Sequence, residues 1–405
     1  MSQQNIDSRL AKRVSRIGLS MTVKIAQRAR ELQAQGKKII NMGAGELDFD
    51  TPEYIKLGAI KGILEGQTRY TNVGGTTALT QAIQQKFQRE NQLSYGLSEI
   101  IAGTGAKQLL FNALQATVDE NDEVIIPAPY WVSYPDMVRL ADGTPVTVTT
   151  TVESGYKITP DQLRSTLTPQ TKWLLINSPG NPTGAIYSRE ELQSLADVLK
   201  DYPRVLVLSD DIYEPLTYDV PFISFATAAP ELKDRTLTLN GVSKGYAMTG
   251  WRLGYAAGPE WLIKAMEKIQ AQSTSNPSSV SQAAAATALM GDAAFLTGWR
   301  EILVKRRDEA CDILAASSLL NLQKPQGAFY LFVDCQSALG KTLVDGSVLA
   351  DDLDIARFLI EHASVAVVPG SAFGMSGHFR LAFSIASEDV TAACKAIVAA
   401  METLK

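Results

Sequence analysis

Residues 236–258 read Thr-Leu-Thr-Leu-Asn-Gly-Val-Ser-Lys-Gly-Tyr-Ala-Met-Thr-Gly-Trp-Arg-Leu-Gly-Tyr-Ala-Ala-Gly. The stretch begins with alternating threonine and leucine, which predicts a β-strand that ends at Asn240-Gly241. Lys244 follows, and a second apolar run occupies 253–257. A lysine between two core-forming segments is held in a partly dry site, which favours the neutral, nucleophilic amine. Lys244 is therefore a candidate Schiff-base lysine, although this stretch alone is also compatible with an ordinary loop lysine.

The bulk composition is that of an ordinary globular protein. The chain has 405 residues, of which 45% are hydrophobic and 20% are charged. This length exceeds what one core usually supports, so we expect two domains. The net charge of −5 and the absence of a long basic run argue against a nucleic-acid partner. No apolar stretch is long enough to span a bilayer, and the first twenty residues lack the apolar core of a secretory signal.

The cysteines and histidines limit the chemistry that the chain can perform. Cys311, Cys335 and Cys394 are few and widely spaced, which predicts a reducing compartment without a disulfide framework. The two histidines, His362 and His378, are too few for a zinc-type ligand cluster and argue against a Ser-His-Asp triad. We therefore expect a cytoplasmic protein without a metal.

Strand and helix patterns alternate through the middle of the chain, which predicts a mostly parallel sheet covered by helices on both faces. After a long helical region at 277–319, strands mixed with helices indicate a smaller α+β domain. We predict an N-terminal segment over 1–48, a large domain over 49–309 and a small domain over 310–405. The predicted strands of the large domain are 122–126, 145–149, 171–177, 204–209 and 235–239, and its helices include 131–141, 159–166, 188–200 and 260–270.

Three successive predicted strands end in polar residues. The first ends at Asn177 before Pro-Gly-Asn-Pro-Thr-Gly at 179–184, the second leads into Asp210-Asp211-Ile212-Tyr213, and the third leads to Lys244. Each residue alone could be an ordinary turn residue. Because ligands bind outside the carboxyl ends of parallel strands, we expect an amide, a carboxylate, a phenol and an amine to meet in one crevice.

Two further segments indicate anion binding. Gly-Thr-Gly-Ala-Lys-Gln at 103–108 lies between a predicted strand and a predicted helix, where free N–H groups and the helix dipole favour phosphate. Its spacing is neither a Walker loop nor a dinucleotide fingerprint. Arg380 lies within the apolar strand 378–384, which implies a carboxylate partner, either an acidic side chain or a ligand.

Together, these motifs resemble the class I aminotransferases, which are pyridoxal-phosphate enzymes. The residues that carry the resemblance are Asn-Pro-Thr-Gly at 181–184, Ser-Asp-Asp-Ile-Tyr at 209–213, Ser243-Lys244, Arg252 and Arg380. They occur in the family's order over nearly the whole chain. The resemblance implies an α/β fold of fold type I, with a mostly parallel central sheet flanked by helices and a smaller α+β domain.

The segments 129–135 and 247–252 are similar to the bacterial aspartate aminotransferase subgroup, some of whose members also use prephenate. This similarity implies transfer of an amino group between L-aspartate and 2-oxoglutarate in a ping-pong cycle. Three small departures occur, namely Gly-Ala-Lys at 105–107 where the subgroup has Gly-Gly-Lys, Asp211 where it has Glu, and Gly245 where alanine is common.

The resemblance also implies a role for each matching residue toward the cofactor, pyridoxal 5′-phosphate. Lys244 would form the internal aldimine and move the proton, and Asp210 would pair with the pyridine nitrogen. Tyr213 and Asn181 would bond the phenolic oxygen, and Trp131 would stack on the ring. The phosphate would be bound by Gly105, Ala106, Lys107, Ser243 and Arg252, together with Tyr70 of the other subunit in a homodimer with shared active sites.

For the substrate, the resemblance implies that Arg380 grips the α-carboxylate, assisted by Asn181 and the Gly45 backbone beside Trp131. Lys107, with Thr22 nearby, would take the second carboxylate of a dicarboxylic substrate. Aromatic amino acids and prephenate remain alternative substrates. A lyase of the same fold is disfavoured by Lys107, because such enzymes act mainly on sulfur-bearing amino acids. A transcription regulator would need a helix-turn-helix module, for which the first twenty residues are too short.

Overall fold

The structure of the chain, a computed structural model, describes residues 9–18 and 21–405, apart from the side chains of residues 22, 23 and 26. The predicted substrate residue Thr22 belongs to the helix Met21–Ala34, but its side chain lies outside the described part. None of the helices in the described part is long and apolar enough to cross a membrane.

The centre of the molecule is a seven-stranded sheet. Its strands, in spatial order, are β2 (Ile100–Gly103), β8 (Gly254–Ala257), β7 (Thr236–Gly241), β6 (Leu206–Asp210), β5 (Thr171–Asn177), β3 (Glu123–Ala128) and β4 (Thr144–Thr149). Strands β3 to β7 pair in parallel, whereas β8 is antiparallel to both of its neighbours. The prediction of a mostly parallel sheet is therefore confirmed. The other strands of the described residues are β1 (Ile40–Asn41), β9 (Asn321–Leu322), β10 (Tyr330–Asp334), β11 (Val365–Ala366), β12 (Val368–Pro369) and β13 (His378–Ala382).

Helices cover both faces of this sheet because its strands are apolar on both sides. Val124 and Ile126 of β3 pack on one face, whereas Ile125 packs on the other. The helices on the first face are Ala106–Thr117, Tyr134–Leu140 and Glu260–Ala271, and those on the second are Pro160–Thr166, Arg189–Lys200 and Phe225–Ala228. A third group, Glu53–Leu64, Thr77–Lys86 and Ser279–Met290, packs around β2 and β8.

A second layer is built around a four-stranded antiparallel sheet in the order β12-β13-β10-β9. Its core joins the helices Phe295–Leu314, Asp352–Phe358 and Ser387–Met401 to Met42 of the N-terminal segment. Strand β1 of that segment also pairs in parallel with β11. The helix Phe295–Leu314 crosses residue 310, and the proposed domain boundaries stay a prediction.

The structure differs from the sequence prediction in two elements. The helical region at 277–319 is divided into Ser279–Met290 and Phe295–Leu314. The division falls at Gly291, where a Cβ atom would lie 2.4 Å from the Tyr54 ring, so the close approach of that ring requires glycine. No strand was predicted for the apolar run at 253–257, but this run contains β8, which lies antiparallel between β2 and β7.

The carboxyl ends of β5, β6 and β7 lie side by side. Asn177 is paired in register with Asp210, and Asp210 is paired with Leu239, directly before the segment that carries Lys244. The polar strand ends found in the sequence are therefore adjacent in space.

The contact between β8 and the start of the helix Ala106–Thr117 leaves no space for a side chain at Gly254. A Cβ atom there would lie 2.1 Å from the Ala106 nitrogen and 2.6 Å from its Cα. We predict that Gly254→Ala destabilises the protein by about 1–3 kcal/mol, because the backbone must move to relieve the overlap. The apparent midpoint of thermal unfolding measures this. Gly250→Ala is the control, because a Cβ atom at that position would have no heavy-atom neighbour within 4 Å; equal midpoints for the two variants would contradict the prediction.

Candidate active site

A cleft of about 340 Å³ lies at the carboxyl ends of β5, β6 and β7. Its walls come from the seven-stranded sheet, from the N-terminal segment and from the four-stranded sheet. Eleven residues predicted from the sequence line it, namely Gly45, Ala106, Lys107, Trp131, Asn181, Asp210, Tyr213, Ser243, Lys244, Arg252 and Arg380.

Lys244 lines the cleft and is partly buried. Its Nζ donates a hydrogen bond to the Gly45 carbonyl and lies 5.8 Å from the Tyr213 ring centroid and 5.9 Å from that of Phe329. Burial, followed by the nearby positive charge of Arg380, lowers the pKa of Lys244 to about 8. The neutral amine, which a nucleophile and a proton acceptor require, is therefore far more populated near physiological pH than it is in an ordinary lysine, although the protonated form still predominates.

Asp210 is a buried carboxylate held by a phenol. The Tyr134 hydroxyl donates a 2.7 Å hydrogen bond to Oδ2, and the Ile212 N–H lies 3.3 Å from Oδ1. Burial raises the pKa of Asp210 to about 6, against the lowering effect of the Tyr134 hydrogen bond. The carboxylate is therefore ionised at neutral pH and can accept a bond from a protonated ring nitrogen.

Arg380 is a buried guanidinium without an acidic partner among the described residues. Its Nη1 donates to Asn181 Oδ1 at 2.9 Å and its Nη2 to the Gly43 carbonyl at 2.7 Å, while Nε finds no acceptor. The ring centroid of Tyr330 lies 4.4 Å from its Cζ. A buried donor without an acceptor in the described chain is available to a bound ligand or to water. The sequence allowed two carboxylate partners for Arg380, an acidic side chain or a ligand, and the geometry favours the ligand.

The opposite end of the cleft is positively charged. Gly105 has φ +83°, and a Cβ atom on it would lie 2.5 Å from Arg252 Nη2, so the guanidinium rests against the Gly105 backbone at the start of the helix Ala106–Thr117. Lys107 Nζ donates to Ser133 Oγ at 3.2 Å and lies 4.7 Å from the Trp131 ring. Desolvation and then Arg252 lower the pKa of Lys107. These groups form a site suited to an anion.

A buried ion pair supports the loops that carry Tyr213 and Lys244. Glu214 pairs with Lys86 and accepts hydrogen bonds from Asn91 Nδ2 at 2.7 Å and Asn240 Nδ2 at 2.6 Å. All four of these side chains are buried. Because Glu214 follows Tyr213 and Asn240 precedes the Lys244 loop, this cluster fixes one loop against the other.

Three predicted site residues do not line the cleft in the described chain. Gly105 contributes through its contact with Arg252, Tyr70 is 91% exposed, and the side chain of Thr22 lies outside the described part. Two phenols that line the cleft, Tyr134 and Tyr330, were not predicted from the sequence. Tyr134 lies in the segment 129–135 that carries the subgroup resemblance, whereas nothing in the sequence distinguished Tyr330 from a core tyrosine.

The chain is similar to known proteins over almost its whole length. The family model described as aminotransferase class I and II matches residues 37–397. A protein named probable aspartate/prephenate aminotransferase from Rickettsia conorii is 50% identical over 386 residues, covering 95% of this chain and 96% of that protein. The aspartate/prephenate aminotransferase of Cereibacter sphaeroides is 50% identical over 391 residues, covering 96% and 98% respectively.

Solved structures of aspartate aminotransferases are also similar to the chain over almost its whole length. The aspartate aminotransferase of Rhizobium meliloti superposes with a TM-score of 0.96 at 48% identity, covering 98% of this chain and 100% of that one. The Thermus thermophilus aspartate aminotransferase with maleate superposes with a TM-score of 0.91 at 41% identity, covering 96% and 99%.

The raised pKa of Asp210 predicts that this residue lowers the stability of the cofactor-free protein. The folded state binds the proton of Asp210 more tightly than the unfolded state does. The free energy of unfolding therefore falls as the pH rises from the ordinary pKa of 3.8 to about 6. We predict that Asp210→Asn stabilises the cofactor-free protein by up to about 3 kcal/mol at about pH 8 and by about half as much at about pH 5. Urea unfolding at both pH values measures the difference.

The control is Asp50→Asn, because the Asp50 side chain is 98% exposed. It is expected to change the free energy of unfolding by less than about 0.5 kcal/mol at either pH. A gain for Asp210→Asn that does not grow between the two pH values would contradict the prediction.

Proposed function

The chain belongs to the class I and II aminotransferase family, whose members depend on pyridoxal 5′-phosphate, and we propose that it exchanges the amino group between L-aspartate and 2-oxoglutarate. The products would be oxaloacetate and L-glutamate. The observation that carries this proposal is a pair of cations, Arg380 and Lys107, in one cleft, neither having an acidic partner in the described chain. A dicarboxylic substrate supplies one carboxylate for each.

The residues of the cleft fit the cofactor in chemical type and in order. The phosphate would bind the N–H groups at the start of the helix Ala106–Thr117 together with Ser243 and Arg252. Asp210 would accept a hydrogen bond from the ring nitrogen, and Tyr213 and Asn181 would bond the phenolic oxygen beside Trp131. When bound, the cofactor supplies an electron sink for the negative charge that develops at the substrate Cα.

Lys244 is the proposed general base and acid. Because its pKa is lowered to about 8, the neutral amine that takes a proton from the substrate Cα costs little free energy to populate near physiological pH, and the protonated amine can then return the proton elsewhere. Arg380 fixes the α-carboxylate through parallel hydrogen bonds and so presents the Cα–H bond to the amine.

The proposed assignment of Lys107 to the second carboxylate rests on its setting. The Trp131 ring and the Ser133 hydroxyl both contact its amine at the anion-binding end of the cleft. Thr22 remains a proposed neighbour from the resemblance. The names of the relatives favour prephenate as a second candidate acceptor, since its carboxylates could use the same two cations.

We predict that Lys107→Ala lowers kcat/KM for L-aspartate about 10- to 100-fold, the cost of one charge-assisted hydrogen bond. L-Alanine has no second carboxylate, so its kcat/KM is expected to change by less than about threefold. Steady-state assays with both amino donors and 2-oxoglutarate measure the effect. Lys264→Ala, a surface lysine on the helix Glu260–Ala271, is the control. Equal losses on both donors would remove Lys107 from its role in substrate specificity.

We also propose that the protein is a homodimer, as the resemblance implies. On the helix Glu53–Leu64, the apolar side chains of Leu57, Ile60 and Leu64 are at least half exposed and share one face of the helix. Tyr70, on the following loop, is 91% exposed. An exposed apolar stripe is typical of a protein interface, and a second copy would also bring its Tyr70 to this subunit's phosphate site.

The dimer proposal predicts that Leu64→Asp weakens self-association, because the new charge would be buried at the interface. Val344→Asp is the matched control, since Leu64 and Val344 are 82% and 81% exposed and Val344 lies on a loop of the C-terminal region. Sedimentation velocity of the two variants and the unmodified protein measures association. A monomeric unmodified protein, or a Leu64→Asp variant that associates as strongly as Val344→Asp, would contradict it.

A cytoplasmic location is proposed on the basis of the cysteines. Cys311, Cys335 and Cys394 are all free thiols in the structure. Free thiols are usual in a reducing compartment, whereas exported proteins tend to pair theirs.

A further inference from the structure

Tyr330 contacts two residues of the candidate active site, Arg380 and Tyr213. It begins β10, is 1% exposed and lines the cleft. Residue 330 is paired with Ala382 and residue 332 with Arg380 of β13, so Tyr330 and Arg380 are diagonal neighbours on one face of the sheet. This register places the guanidinium over the phenol ring, with Cζ 4.4 Å from the centroid.

The hydroxyl group of Tyr330 points toward the amine side of the cleft. It lies 2.7 Å from the Tyr213 hydroxyl, and a Cβ atom on Gly45 would lie 2.8 Å from it. The Gly45 carbonyl in turn accepts the hydrogen bond from Lys244. One side chain therefore contacts the proposed carboxylate-binding residue through its ring and the proposed cofactor-binding phenol through its hydroxyl.

The pair of phenols has two possible arrangements of protons. Burial raises the pKa of both Tyr213 and Tyr330, so both hydroxyls keep their protons at neutral pH. If Tyr330 donates to the Tyr213 oxygen, the proton of Tyr213 is free to point into the cleft, and donation to its oxygen strengthens Tyr213 as a donor. In the reverse arrangement, the proton of Tyr213 is used within the pair.

We propose that Tyr330 is a positioning residue that donates to Tyr213, so that the Tyr213 proton points toward the cofactor, and that its ring holds the Arg380 guanidinium for the substrate carboxylate. The inference rests on the proposed function, because it takes the roles of Tyr213 and Arg380 from there. The hydroxyl and the ring act on different partners, so two substitutions separate their effects.

The hydroxyl is tested by the pH titration of the absorbance band of the lysine-bound cofactor. A donor to the phenolic oxygen stabilises its anionic form and so lowers the midpoint of this titration. Tyr330→Phe is expected to move the midpoint to higher pH, in the same direction as Tyr213→Phe but less far. In the double variant, Tyr330→Phe is expected to add no further shift, because it acts only through Tyr213.

The ring is tested by binding of maleate, a dicarboxylate without an amino group, followed by spectral titration. Tyr330→Phe keeps an aromatic face and is expected to change the Kd by less than about twofold, whereas Tyr330→Leu is expected to raise it about 3- to 10-fold. Circular dichroism of each variant checks that the protein is folded.

An unchanged midpoint in Tyr330→Phe, a full additional shift in the double variant, or an unchanged maleate Kd in Tyr330→Leu would overturn the inference. These results differ from a failure of the proposed function, in which the unmodified protein would show neither a lysine-bound cofactor band nor a response to maleate.

Discussion

The candidate site depends on charges that the fold keeps away from bulk water without pairing them fully. Lys244, Asp210 and Arg380 all lie in or beside one cleft, and burial shifts the pKa of the amine down and that of the carboxyl up. Isolated charges in such a place are costly, and protein interiors usually pair them. Their persistence here is explained by a charged ligand with complementary groups. In the proposed function, the cofactor and a dicarboxylic substrate would supply those groups.

The fold maintains this arrangement with parts that are distant in sequence. Adjacent carboxyl ends of β5, β6 and β7 bring Asn177, Asp210 and the Lys244 loop together, and the fully bonded Glu214 cluster fixes the loops beneath. The four-stranded sheet contributes Arg380 and Tyr330 from the other side of the cleft. The geometry of the proposed substrate site therefore depends on how the two sheets are held together, to which Met42 in the shared core contributes.

Strand-end chemistry was predictable from the sequence because it depends on local patterns. The continuous apolar strands indicated a parallel sheet, and polar residues at their ends indicated the crevice, as the pairing of Asn177 with Asp210 bears out. Contacts across the chain were not predictable. Tyr330 meets Tyr213 across 117 residues, and no local pattern encodes that contact. For the same reason, local patterns did not predict that β8 inserts antiparallel between β2 and β7. Nor did they predict whether the partner of Arg380 is an acidic side chain or a ligand.

In the proposed function, Lys244 binds the cofactor covalently and L-aspartate reacts there. The most direct measurement is the absorbance spectrum of the purified protein with pyridoxal phosphate, before and after L-aspartate and then after 2-oxoglutarate, beside that of Lys244→Ala. We expect a visible band that L-aspartate bleaches to a near-ultraviolet band and 2-oxoglutarate restores, with no such cycle in the variant. A band that L-aspartate leaves unchanged, or the same cycle in Lys244→Ala, would contradict it.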